Sequence, residues 1–169
     1  GAQVGASAVS SMVLTPQGLR FLGRLVPCSI GRAGITADKR EGDHATPAGR
    51  HRVTGLWYRP DRMDRPAPWA RAIGPGDLWC DDPDHPAYNR HVRAPLAASH
   101  ERLRRADPLY DLVLTTDWNA AAVPGRGSAI FLHQWRRPGY GTEGCIAFAR
   151  RDLLWIARRA VPGTPILVR

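Results

Sequence analysis

Residues Ser128 to Phe148 read SAIFLHQWRRPGYGTEGCIAF, and the rest of the chain is organised around them. The apolar run Ala129–Leu132 reads as a buried strand, with His133 at its end. Eleven residues rich in Gly, Arg and aromatics follow before Cys145, which Gly144 directly precedes. A thiol attacks carbonyls as the thiolate, and an imidazole beside it favours that ionisation. A loop folding back would bring Cys145 to the strand-end His133. Gly144 lets the backbone pass close to a substrate and leaves Cys145 exposed. The everyday alternative is that the pair is a small apolar filler and a hydrogen-bonded polar group.

A second patterned stretch lies upstream. Residues 37–53, ADKREGDHATPAGRHRV, are charged, broken by Gly and Pro, and too polar for a core element. By composition alone they make a solvated surface loop. Thr46-Pro47 fixes an extended approach, and Gly49 permits a turn into a strand from Arg50 to Tyr58.

Taken together, the two stretches resemble the signatures of the YkuD-like L,D-transpeptidases. That family has a strand-end His, a loop, and then Ser/Thr-His-Gly-Cys; His133, Thr142, Gly144 and Cys145 match. Its upstream signature, Lys-x-Glu-Gly-Asp-x-x-Thr-Pro-x-Gly, is matched by Lys39, Glu41, Gly42, Asp43, Thr46, Pro47 and Gly49. Glu143 stands where the common motif has His, and Ala147 where an Arg often follows the Cys, which marks a divergent TEGC branch. Trp79-Cys-Asp-Asp-Pro and Tyr88-Asn89-Arg90 look like the variant branch, where the last three help to frame the site. The resemblance runs from Leu25 to Val168.

It implies a single-domain, mainly β, L,D-transpeptidase-like sandwich of short strands with about two helices. The strand signals alone, about seven to nine short runs, point the same way. Residues 1–11 read as a flexible N-terminal segment and 12–169 as the catalytic domain. Strands are expected at Met12–Leu14, within Leu19–Ile30, at Trp69–Ile73, Tyr110–Thr116 and Pro165–Val168. Helices are expected at Ser99–Ala106, capped by Ser99, and at Asp152–Val161, where residues 153, 156, 157, 160 and 161 are apolar at helical spacing.

The implied activity is a cysteine acyltransferase of the cell wall. Cys145 attacks the amide carbonyl of an L-centre in a peptidoglycan stem peptide, a residue that in the family is usually diaminopimelate, with D-Ala leaving. His133 moves the protons, and backbone N–H groups near Gly144 and Cys145 stabilise the oxyanion. The group orienting His133 is open; a backbone carbonyl is one candidate. Thr142, Glu143, Trp135, Arg136, Tyr140, Arg40 and Tyr88 are the expected substrate contacts, with the Arg side chains suited to stem-peptide carboxylates. Glu143 beside the thiol disfavours the thiolate, so a substrate or orienting role suits it better. Neither metal nor organic cofactor is required. Hydrolysis by an L,D-carboxypeptidase or endopeptidase on the same scaffold is the alternative reaction. A wall- or nucleic-acid-binding module with a chance Cys/His pair is the non-enzymatic one.

Composition bounds these readings. The 169 residues suffice for one domain with a real core. A net charge of +9, nearly all from Arg with Lys39 the single lysine, favours anionic partners. The cations are scattered, however, which argues against nucleic acid as the partner. No apolar run reaches membrane-spanning length. A monomer in the periplasm or cell envelope is expected, with any signal peptide outside this sequence. The cluster Trp79–Pro86 matches neither a zinc ribbon nor a calcium loop in its spacing. With Cys145 as nucleophile, Cys28 and Cys80 either pair or remain two free thiols.

Overall fold

The computed structural model describes residues 9–169; the N-terminal segment expected over residues 1–11 lies mostly outside them. Strands β1 (Met12–Thr15), β2 (Gly18–Phe21) and β3 (Arg24–Val26) form an antiparallel meander. Strands β4 (Ile35–Thr36) and β5 (Thr46–Pro47) pair in parallel and bracket the polar Lys39–Ala45 loop. The long strand β6 (Gly49–Tyr58) follows, with β7 (Arg71–Ala72) paired to its end. Strands β8 (Asp77–Cys80), β9 (Arg90–Arg93) and β10 (His100–Arg102) make a separate sheet in the order β10-β8-β9. Strands β11 (Leu112–Thr116), β12 (Phe131–Gln134) and β13 (Ile146–Phe148), helix α1 (Arg150–Arg159) and β14 (Pro165–Val168) complete the chain.

The main sheet runs β13-β12-β11-β6-β14-β1-β2-β3. Strand β6 joins its two halves, because its first residues pair with β14 and its later ones with β11. Strand period then sorts the side chains. Leu112, Leu114, Leu132, Ile146 and Phe148 face the principal core, with Met12, Leu14, Leu19 and the Leu153, Ile156 and Ala157 stripe of α1. Val113, Phe131 and Cys145 face a second, smaller cluster with Trp57, Leu103 and Tyr110, against which Trp79 packs. The β8–β9–β10 sheet covers that second face: Trp79 meets Phe131 edge-on, ring centres 5.0 Å apart.

Most expected strands form, and helix α1 stands at the second expected helix, two residues early. Asp152 sits in its first turn and bonds Arg24 at 2.7 Å, tying the helix to β3. The helix expected over Ser99–Ala106 is corrected. His100, Glu101 and Arg102 pair with Cys80, Trp79 and Leu78 as β10. Leu103 is the large buried side chain of that segment, so it carries no apolar helical stripe, and the free edge of β8 supplies its backbone partners. Of the Trp79–Pro86 cluster, Trp79 and Cys80 are the last two residues of β8. All three cysteines are free thiols, so Cys28 and Cys80 are not bridged.

Candidate active site

The parallel pair β12–β13 sets the geometry. His133 lies opposite Ala147, and Leu132 opposite Ile146. Cys145, two residues before Ala147, therefore shares a face with His133, one step away on the diagonal. Both side chains line one cavity of about 290 Å³.

The turn carrying Cys145 is held from two sides. Thr142 Oγ1 donates to Cys145 O at 2.6 Å and accepts from Gly144 N–H at 3.1 Å. Thr46 Oγ1, fully buried, donates to Gly144 O at 2.8 Å and accepts from Gly31 N–H at 2.9 Å. The polar upstream loop is thus the wall behind Cys145, with Lys39, buried and paired with Asp43, in the same wall. Gly144 has φ +144°, and a Cβ there would stand 2.9 Å from Ala45 O. Both its backbone angle and the close approach require glycine.

The sulfur sits half-buried. Its thiol donates to Ala129 O at 3.1 Å, and Phe131 N–H points at it at 3.4 Å. Ala129 holds φ +53°, an uncommon angle for alanine. Asn89 holds that residue in place: its Oδ1 accepts from Ala129 N–H and Trp79 Nε1, and its Nδ2 donates to Trp118 O and Asn119 O. Burial, the Glu101 carboxylate and, less strongly, Glu143 push the Cys145 thiol up to about 12, against the opposing pull of Phe131 N–H and Lys39. The resting group is a neutral thiol.

His133 is 6% exposed. Its Nδ1 lies 2.7 Å from Gln134 O. A carbonyl oxygen only accepts, so Nδ1 carries the proton and Nε2 of the neutral ring presents its lone pair. The orienting group left open by the sequence is this backbone carbonyl. Burial lowers the His133 pKa to about 4, with Arg105 and Arg136 adding to the effect and the Gln134 bond opposing it. At neutral pH the ring is an uncharged base. Tyr110 packs edge-on against it, ring centres 5.4 Å apart.

Of the residues expected to contact substrate, Thr142, Glu143, Trp135, Arg136 and Tyr140 line the cavity. Arg40 and Tyr88 do not. Arg40 is exposed and pairs with Asp38. Tyr88 is 1% exposed; its hydroxyl donates to Glu41 and accepts from Gly127 N–H, which ties three loops together. Gly144 is buried beneath the cavity surface. Six lining residues were not among those expected from the sequence: Arg32, Glu101, Leu109, Tyr110, Gly141 and Ala147. Glu101 comes from β10, where a helix was expected, and no local signal marks it. Among the described residues no group of three or more His, Cys, Asp or Glu side chains is placed to hold a metal ion. No helix of the described residues is long and apolar enough to cross a membrane.

Comparison with known proteins extends this picture. No curated protein matches the sequence. Among solved structures, Bdellovibrio bacteriovorus Bd1075 aligns over 99% of this chain at 14% identity, with a TM-score of 0.52. An L,D-transpeptidase from Mycobacterium smegmatis aligns over 96% at 15% identity, with a TM-score of 0.47. The likeness to Bd1075 is one of fold, and this chain spans 50% and 59% of the lengths of those two proteins. The family model of the L,D-transpeptidase catalytic domain matches residues 11–168. With that match covering nearly its whole length, the chain belongs to the YkuD family of L,D-transpeptidase catalytic domains, a family of peptidoglycan-modifying transpeptidases.

Proposed function

We propose that this chain is a cysteine acyltransferase acting on peptidoglycan stem peptides, with residues 12–169 as its catalytic domain. The observation that carries the reading is the shared cavity face: the Cys145 thiol, just before β13, and the lone pair of His133 Nε2 on the neighbouring parallel strand β12, its ring fixed by Gln134 O. Both groups rest uncharged, so the thiol proton moves to Nε2 as Sγ attacks the carbonyl carbon of an L-centre. The C–N bond then breaks, Nε2–H protonates the departing amine, and a thioester remains on Cys145. An acceptor amine attacks that thioester, loses its proton through Nε2, and restores the thiol. Gly144 N–H is held by Thr142 Oγ1, so this reading assigns the oxyanion to the Cys145 N–H. Arg136 and Arg32 on the cavity rim suit the stem-peptide carboxylates, and Trp135 and Tyr140 wall the groove.

In this reading the partner is peptidoglycan and not nucleic acid. The protein works as a monomer in the periplasm or cell envelope, and β-lactams are inhibitors that acylate Cys145. Hydrolysis is the second reading. It shares every step up to the thioester, which water then takes in place of an amine.

Intact-mass measurement after exposure to a carbapenem, and separately to a purified stem tetrapeptide, tests the proposal. Adducts on the wild type that vanish in Cys145→Ala support it; no adduct with either compound overturns it. Dimeric peptide products assign transfer, and release of the terminal residue alone assigns hydrolysis.

A further inference from the structure

Glu101 is the one carboxylate that reaches the cavity from the small β8–β9–β10 sheet. It is carried by β10, opposite Trp79 in the ladder, and Trp79 in turn packs on Phe131 of the catalytic strand. Its Oε2 accepts from the Tyr110 hydroxyl at 2.6 Å. Tyr110 itself is wedged edge-on against both Phe131 and His133. One carboxylate oxygen is therefore anchored by the same ring that abuts the base. The other, Oε1, has no protein donor among the described residues and is not sealed from solvent.

The charge of this group is poorly offset. Arg105, the cation that acts on it through space, is engaged by both carboxylate oxygens of Asp107, at 2.8 and 2.6 Å, and lies over the Tyr110 ring. Burial raises the Glu101 pKa, and Asp81 and, on the same cavity, Glu143 add charge of the same sign. A carboxylate here does not help to ionise the thiol; it opposes that step. A rigid, half-satisfied carboxylate beside a nucleophile it hinders calls for a cation brought by the substrate.

We propose that Glu101 determines substrate preference in this cavity, its Oε1 receiving a primary ammonium of the peptide that reacts with Cys145. The proposal rests on the acyl-transfer reading above and goes beyond it by naming the recognised group and the residue that recognises it. A docked ammonium also offsets the negative potential at the sulfur, so the preference is expressed in kcat as well as in KM. Both a side-chain amine on the donor peptide and the amine of the acceptor carry this chemistry.

The test uses Glu101→Gln, which keeps an acceptor for the Tyr110 hydroxyl and removes the charge. Thioester formation is followed by intact mass with two synthetic tetrapeptides. One bears a free amine on the side chain of the reacting L-residue, and the other has that amine acetylated. Transfer to a free-amine acceptor is followed separately, and carbapenem adduct formation on Cys145 serves as the control. The wild type should prefer the free-amine donor, and the variant should lose that preference at least tenfold. A loss confined to the transfer step assigns the ammonium to the acceptor, and still supports Glu101 as its receptor. Equal preference in wild type and variant at both steps, with Cys145 still acylated by the carbapenem, overturns this inference alone. A wild type acylated by neither carbapenem nor peptide overturns the acyl-transfer reading and this inference with it.

Discussion

His133 and Cys145 are diagonal neighbours on one face of a parallel strand pair, because His133 registers with Ala147 and the cysteine stands two residues earlier. Neither is charged at rest. Burial holds the imidazole down near 4 and, with Glu101, holds the thiol up near 12. In the proposed reaction His133 therefore works as a general base and not as half of a preformed thiolate–imidazolium pair, which has measurable consequences.

The first concerns thiol reactivity. Iodoacetamide should alkylate Cys145 slowly through pH 9, with the rate climbing towards about 12. Cys28 is raised to about 11 by burial, so the measurement belongs in a Cys28→Ser background; Cys80 is fully buried. A rate that already levels off below pH 8 would show that the sulfur ionises as a free thiolate.

The second concerns acid. The His133 pKa is about 4 in the folded protein, against 6.5 for a histidine free of the fold. Between those values the unfolded chain binds a proton that the folded chain does not, so falling pH favours unfolding. Stability should drop by about 3 kcal/mol as pH falls from 6.5 to 4, and the His133 contribution should be flat below 4. His51, buried and also lowered, acts in the same direction. The difference between wild type and His133→Gln in urea titrations across this range isolates the His133 part. Carbapenem acylation by the folded wild type should instead hold through this range and fall only as pH approaches 4, because the folded ring stays neutral until then and only the neutral ring accepts the thiol proton.

Asn89 is the next target. Its amide makes four hydrogen bonds that join β8, the Trp118–Asn119 turn and Ala129, the residue whose carbonyl accepts the thiol's hydrogen bond. Asn89→Ala leaves buried partners unmatched and should cost about 3 kcal/mol by urea denaturation. Acylation of Cys145 should slow even where the variant is folded, since Ala129 loses the bond that holds its left-handed angle.

Gly144→Ala tests the turn. The added methyl meets Ala45 O at 2.9 Å on a backbone angle that alanine avoids. A cost of about 2–4 kcal/mol is expected, with at least a tenfold loss of acylation although both Cys145 and His133 remain. Full acylation in this variant would show that the turn tolerates movement.

The two signature stretches were legible in the chain because each depends on local chemistry. Gly144 serves a backbone angle and Thr46-Pro47 an extended approach, while the strand expected over Ala129–Leu132 forms two residues later, as Phe131–Gln134, with Ala129 outside it in a left-handed conformation. What local pattern does not carry is partnership. Residues 99–106 have no strand signal of their own and become β10 only because β8 offers an unpaired edge, and that pairing is what delivers Glu101 to the cavity. Tyr88 and Arg90 lie in one motif with Asn89, yet burial makes Tyr88 a tie between loops and leaves Arg90 exposed.

By itself, then, the order of residues determined the glycine turn before Cys145, the buried strand that carries His133 and the strand-rich class of the fold, since these follow from neighbours along the chain. Only the packed molecule decided which carboxylates surround the sulfur and that both reacting groups rest neutral. Burial and through-space charge are properties of residues far apart in sequence, here β10, β12 and the Thr142–Cys145 turn, meeting at one cavity.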